Sequence, residues 1–375
     1  MPERDTSNTA PPAPSGAPSR FPCAQCGAAL EFSPGAQSLK CEHCGHENEI
    51  PKPVDIVVEQ DFRAALDELA SRQETQESID VSCESCGAQV HGLEQRTSTK
   101  CPFCGSPIVA TGLSRRLIKP HALLPFKIAG RQATDSFLKW LGGLWFAPGD
   151  LKKSAAVDGR LTGLYLPAWT YDADTTTQYT GQRGDAYYIT VPYTTKVNGR
   201  SVTRMRQERR IRWSSAAGTV FNRFDDLIVV ASDSLPRRMV EDLEPWDLPS
   251  LVPYDDAYLS GFGAESYKTD LREGFDLAQK QMKPAIEMSI RRDIGGDEQR
   301  ISSTQTRHDN IRFKHILLPL WVAAYRYRRK VYRFLVNART GEVRGDRPYS
   351  ALKITCATIA VLMVIAVVVF FVARR

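Results

Sequence analysis

The amino-acid sequence predicts an α+β protein with two small zinc ribbons, a mixed antiparallel-sheet body and one C-terminal transmembrane helix. Three observations carry this expectation. Eight of the nine cysteines fall in four Cys-x-x-Cys pairs. Nineteen residues from Ile354 to Val372 carry no charge. Between these features, strand-like alternation is interleaved with amphipathic helical spacing.

Residues 1–20, rich in Pro, Ala and Ser, read as a disordered leader. They contain no apolar h-region, so no secretory signal is expected and the thiols belong in a reducing compartment. Zinc ribbon 1 occupies residues 21–50 with Cys23, Cys26, Cys41 and Cys44. An acidic helix and linker follow at 51–82, where Phe62, Ala65, Leu66 and Leu69 have helical spacing. Zinc ribbon 2 spans 83–110, and its Cys83, Cys86, Cys101 and Cys104 repeat the first set sixty positions on.

Four thiolates in two Cys-x2-Cys knuckles form a closed tetrahedral shell, which suits structural zinc and leaves no open catalytic position. Two zinc ions are therefore expected. A rubredoxin-like iron site or a degenerate ribbon would have the same spacing. The glycine after each knuckle lets the backbone turn and donate N–H groups to sulfur. His43, His46 and His91 lie nearby as surface residues, because each knuckle already supplies two sulfurs.

The α+β body is expected over 115–350. In "ATDSFLKWLGGLWFAP" a helix buries Phe137, Leu138, Trp140, Leu141, Leu144 and Trp145. "AYYITVPYTTKVNGRSVTRMRQERRIRW" reads as a hairpin with Asn198-Gly199 as its type I′ turn. "FDDLIVVASD" reads as a buried strand. A long helix aligns Leu271, Phe275, Ala278, Met282, Ile286 and Ile290, with a kink at Pro284 and a stop at Gly295-Gly296. A final strand pair turns between Asn337 and Gly341. Leu-Pro-x-Trp occurs at both Trp169 and Trp321, followed by aromatics and an Arg-Gly-Asp turn. This echo fits either an internal duplication or two similar strands.

Charge is segregated. Residues 1–108 sum to −8, leaving +14 for the remainder. Acidic ribbons are poor phosphate binders, since nucleic-acid affinity comes largely from Lys and Arg neutralising phosphates. In the predicted hairpin, Arg204, Arg206, Arg210 and Arg212 share one face with Glu208, and Tyr187 and Tyr193 face Arg210 and Arg204. Those four arginines are candidate contacts for an anionic partner, by stacking on single-stranded nucleic acid or simply as a solvated face with cation–π contacts. Further basic residues in "YRYRRKVYR", with Arg339, Arg344, Arg347 and Lys353, precede the apolar segment. They fit the positive-inside rule and anionic lipid headgroups.

No catalytic residue is expected. The sequence contains no Gly-x4-Gly-Lys-Ser/Thr run, no His-Glu-x-x-His and no Gly-x-Ser-x-Gly. "DDAY" at Asp255 to Tyr258 matches an ATPase acidic box only superficially. Asp293 and Asp297 are the remaining candidates for a ligand site, although a helix end and turn also explain them. The segment 354–372 spans about 28 Å as a helix, close to the hydrocarbon thickness of a bilayer. With Lys353 before it and Arg374 and Arg375 after it, it reads as a tail anchor.

The knuckles together with "LYLPAWTYDA", "GQRGDAYY", "FDDLIVVAS", "PWDLPSLVPYDDAYLSGFGAE", "DIGGDEQRI", "FKHILLPLWVAAYRY" and "VNARTGEVRGDRPYS" resemble a group of bacterial membrane proteins. These are zinc-ribbon proteins of the TFIIB type with a C-terminal span, often labelled primosomal replication protein N-prime or helicase-like. The resemblance covers most of 20–355, and the helicase motor motifs are absent from the sequence. It implies a single-pass protein of the bacterial inner membrane, with its N-terminal bulk in the cytoplasm, beside phage-shock or SPFH-type membrane-stress partners. The expectation is a non-catalytic scaffold that recruits a protein to the bilayer. The alternatives are a membrane-tethered nucleic-acid-binding protein and an enzyme using Asp293 and Asp297.

Overall fold

The computed structural model describes residues 21–28, 30–50, 57–71, 76–82, 89–91, 98–100, 107–109, 113–151, 156–157, 161–197, 200–328 and 330–373. It is a mixed α/β architecture with antiparallel sheets and one C-terminal apolar helix. Three strands, β1 (Leu30–Ser33), β2 (Ser38–Cys41) and β3 (Glu47–Asn48), form the first small sheet. Next come β4 (Gln60–Asp61) and α1 (Phe62–Ser71). Short strands then run between Gln76 and Leu117. Among them Ser98–Lys100 pairs with Pro107–Val109, placing Thr99 opposite Ile108 and Lys100 opposite Pro107. This is the register of Leu39 opposite Asn48 and Lys40 opposite Glu47, sixty residues later.

The body contains β5 (Ala122–Leu123), α2 (Gly130–Gly142), β6 (Thr162–Val197), β7 (Arg200–Val230) and β8 (Gly263–Ala264). It continues through α3 (Leu271–Ile294), β9 (Glu298–Tyr327), β10 (Lys330–Asn337), β11 (Val343–Gly345) and α4 (Ala351–Ala373). β6 lies between β7 and β9, antiparallel to both. Period-two alternation decides the layers. Leu164, Leu166 and Ala168, with Ile316, Leu318 and Leu320, pack beneath Leu235, Val240, Leu243 and Trp246. The opposite face carries both long body helices, with Phe137 and Leu141 of α2 beside Tyr165 and Trp321, and Phe275 and Met282 of α3 beside Trp169 and Phe313.

The Leu-Pro-x-Trp echo has a structural counterpart. Leu166 pairs directly with Leu318, so the two segments cross antiparallel about their shared first residue. The contacts on either side match. β5 runs parallel to Ile316-Leu317, and β8 runs parallel to Leu164-Tyr165. Leu124 donates its amide to Leu317 at 3.0 Å, as Glu265 does to Tyr165 at 3.0 Å. The Trp321 indole donates to the carbonyl of Ile128 at 2.8 Å, and the Trp169 indole donates to Thr269 at 3.0 Å. Each accepting carbonyl immediately precedes the N-cap of a helix, Ala129 for α2 and Asp270 for α3. In both helices the N3 side chain returns to the cap amide, Gln132 at 3.1 Å and Glu273 at 3.3 Å. The body is therefore a pseudo-two-fold repeat of extended segment, capped helix and long strand.

Several expectations change. "FDDLIVVASD" is the end of β7, continuous with the arginine strand rather than a separate element. β9 begins at Glu298, eighteen residues before the apolar run at Ile316 to Val322, because pairing with β6 carries its polar half. Leu138 and Trp145 are exposed, since α2 ends at Gly142 and its buried row is Ala133, Phe137 and Leu141. α3 buries the whole expected row and stops at Gly295, whose φ of 63° favours glycine. The turn residues Asn198 and Gly199 lie outside the described residues, while Val197 opposite Arg200 keeps the expected register.

Glu265 replaces Leu124 at the matching position and is only 3% exposed. Ser232 donates to its carboxyl at 2.8 Å and Ser234 donates to the other oxygen. Burial outweighs these donors and raises its pKa to about 7. The folded state thus binds a proton that the unfolded chain has released between about 4.5 and about 7. Stability should fall by about 3 kcal/mol as pH rises through that window, and level off above it. Thermal unfolding of the detergent-solubilised chain should show this fall, and Glu265→Gln should flatten it. Trp321→Phe leaves the Ile128 carbonyl without its donor and should cost about 2 kcal/mol in the same assay.

Candidate metal centre and the exposed arginine face

The first ribbon brings Cys23, Cys26, Cys41 and Cys44 together, with all four sulfurs within 4.8 Å of one another. The Cys23–Cys44 and Cys26–Cys41 sulfurs are 3.7 Å and 3.5 Å apart. Metal–sulfur bonds of 2.3 Å in a tetrahedron require edges of about 3.8 Å, so the group can hold a metal ion. Each knuckle turns through a glycine in left-handed conformation, Gly27 at φ 72° and Gly45 at φ 74°. That turn aims amides at sulfur. Gln25 and Cys26 donate to Cys23, and His43 and Cys44 donate to Cys41 eighteen residues later. Burial alone would raise the Cys23 thiol, yet these donors and the adjacent sulfurs lower it to about 6. His43 and His46 are exposed beside the site, as expected. Cys83, Cys86, Cys101 and Cys104 lie outside the described residues, as does the side chain of His91.

The ribbon shares a core with the body. Phe32 packs edge-on against Tyr258 at 5.3 Å and Phe262 at 6.2 Å. Its amide donates to Ser260, whose hydroxyl donates back to the Leu30 carbonyl at 2.6 Å. Gln37 reaches the Phe126 carbonyl at 2.6 Å. The "DDAY" stretch serves this joint: Asp255 caps a short turn through the Ala257 amide, and Tyr258 meets the ribbon. The acidic linker docks separately. β4 adds to β9, and Glu59 accepts from the buried Lys314 at 3.1 Å. Lys314 also lies 2.6 Å from Asp226. The Glu59, Asp172 and Asp225 carboxylates converge here, and Lys314 supplies the compensating positive charge beside them. Burial and the neighbouring Glu59 raise Asp172 to about 6.

Arg204, Arg206, Arg210 and Arg212 share an exposed face of β7, with Tyr187 opposite Arg210 and Tyr193 opposite Arg204. Glu208 lies 3.9 Å from Arg206 and 3.6 Å from Arg210. Arg206 also lies over the Tyr193 ring at 5.8 Å. β9 pairs with β6 only as far as Gly184. Beyond it β6 and β7 run on as a separate hairpin, and no described residue from 185 to 212 is buried. Asp297 accepts from the Ala186 amide at 2.7 Å, and Glu298 pairs with Arg209 at 2.8 Å, fixing the hairpin base. Asp293 accepts from Tyr179 at 2.6 Å. The two candidate aspartates therefore face different structural partners. Sequence reasoning missed Arg209 and Arg300, which pin this base; Arg300 stacks over Trp213 at 3.9 Å.

No family model matches the chain, and no solved structure matches it. The chain is 26% identical over 347 residues to the uncharacterized protein YdjG of Bacillus subtilis (strain 168). That match covers 89% of this chain and 91% of YdjG.

Replacing Cys23 with Ser should remove one equivalent of bound metal, read by elemental analysis of the purified chain. Gly27→Ala should keep the metal but lower stability by about 1 kcal/mol, because φ 72° strains any side chain there.

Proposed function

We propose that this chain is a non-catalytic, tail-anchored zinc-ribbon scaffold that recruits an acidic protein partner to the cytoplasmic face of a bacterial membrane. The observation carrying this reading is the free-standing hairpin 185–212, exposed on both faces and holding six arginines against Asp185 and Glu208. Ribbon 1 is committed to the body through Phe32, so the hairpin is the better docking element. Its unpaired edges carry charge and Pro192, which discourages indiscriminate strand pairing and favours a side-chain-directed partner.

Zinc is the metal that best suits four thiolates, and it serves here as a structural staple. The shared register of the two small hairpins supports a second zinc at Cys83, Cys86, Cys101 and Cys104. The 22-residue apolar helix Ala351–Val372, with none of its residues buried, supports a single span. The resemblance to bacterial zinc-ribbon membrane proteins adds phage-shock or SPFH-type proteins as the partner class.

The Tyr193–Arg206 stack favours one second reading, single-stranded nucleic acid on the same face. One experiment separates the two. Tagged protein is extracted from membranes with and without nuclease, beside a variant with Arg204, Arg206, Arg210 and Arg212 changed to Glu. A co-purifying protein that survives nuclease and is lost from the variant is the expected result. Co-purifying material that nuclease releases would replace the scaffold reading with the nucleic-acid one. A partner unaffected by the variant would remove the hairpin from the account.

A further inference from the structure

α4 does not simply hang from the body. The Ser350 amide donates to the Phe146 carbonyl at 2.8 Å, and the Lys353 ammonium donates to the carbonyls of Trp145 and Ala147 at 3.2 and 2.8 Å. The Ser350 hydroxyl in turn caps the first turn through the Lys353 amide. The turn after α2 is thus fastened to the first residues of the apolar helix. From the other side it is held by Ala147 and Leu151, which are 5% and 1% exposed within the core.

Between these anchors the turn displays its largest side chains outward. Trp145 is 80% exposed and Phe146 is 42% exposed. Tyr349 and Leu352, at the start of α4, are 58% and 75% exposed. Lys353 immediately precedes the uncharged run, so its ammonium marks the boundary between headgroups and hydrocarbon. Trp145 and Ala147 coordinate that ammonium, which puts the turn at the same depth. Indole and phenyl rings are favoured at that level, where an apolar body meets lipid and a polar edge meets water.

We propose that the turn at Leu144 to Ala147 is a second membrane contact, in which Trp145 and Phe146 enter the bilayer interface beside α4 and seat the body on the lipid surface. This rests on reading α4 as a membrane span, and it assigns the lipid interface, rather than a protein, as the occupant of the patch. Lys353, clamped by the turn, then fixes the angle between the span and the sheet. Arg347, stacked on Tyr349 at 5.4 Å, adds a cation at the same level for anionic headgroups.

The test uses the full chain reconstituted in phospholipid vesicles, with lipid brominated near the headgroup end of the acyl chains, or near their termini. The fluorescence lost in Trp145→Phe identifies the Trp145 signal among the six tryptophans. The expected result is roughly twofold quenching of that signal by the shallow bromines, weaker quenching by the deep ones, and poor access to aqueous iodide. Ready quenching by iodide with none by bromine would overturn the proposal while leaving the span intact. A Trp145 signal protected from both quenchers would also overturn it, pointing to a second copy or another protein over the patch. Alkaline carbonate extraction is measured in parallel: release of the chain would reject the span itself, and the proposal with it.

Discussion

The pairing of Leu166 with Leu318 is the constraint on which the rest of the body depends. It fixes the register between β6 and β9, and a slip of one residue would turn every side chain to the wrong face. With that register set, Trp169 and Trp321 stand where their indoles meet the carbonyls ahead of α3 and α2. Each buried indole must find an acceptor, and each helix entry must be held at one angle. A single contact meets both needs, and the pseudo-two-fold makes it twice. The amides around Ala231 and Ala338 close the same ring on either side, with Ala231 bonded to Pro167 at 3.0 Å and Ala338 to Pro319 at 3.1 Å.

The four-cysteine cluster depends on this frame for its position. Four cysteines in a thirty-residue ribbon can organise a small sheet, but they bury little apolar surface of their own. Here Leu30, Phe32 and Leu39 join the cluster that contains Phe126 and Trp321. The ribbon is consequently a clamp on one half of the repeat. β4 and Glu59 make a second clamp on the other half through Lys314. Acidic Glu59 thus meets the buried Lys314 at a defined, half-buried pair, where geometry rather than net charge selects the contact.

Much of this was legible in the sequence where chemistry is local. Cys-x-x-Cys-Gly spacing shows the knuckles because chelation needs little beyond those residues. The row from Leu271 to Ile290 shows α3, and the Asn198-Gly199 pair gives a hairpin register that places Tyr187 and Tyr193 opposite Arg210 and Arg204. The rest depended on distant partners. Residues 298–312 look polar and unstructured until β6 supplies their hydrogen bonds. Trp145 looks like a core residue because helical spacing continues past Gly142, and the helix ends where the Gly143 amide donates the cap bonds to the Lys139 and Trp140 carbonyls. Asp297 looks like a ligand because nothing local shows the Ala186 amide it accepts from. Glu265 stands in a loop-like stretch, and only the repeat shows that its position is a core position.

The differences between the two halves explain the shape of the whole. α3 has 24 residues and α2 has 13, so the first supports a long strand pair where the second ends early. From Leu166, β6 continues for 31 residues to Val197, up to about 100 Å if fully extended. From Leu318, β9 continues for only nine residues to Tyr327, about 30 Å, where Asp150 accepts from the Tyr327 hydroxyl at 2.7 Å. Because the strands are antiparallel, these extensions leave the dyad in opposite directions. One extension becomes the arginine hairpin, and the other ends against Asp150, just beyond the turn fastened to α4. A repeat with unequal helices thereby places the arginine hairpin at one end of the body and the turn fastened to α4 toward the other.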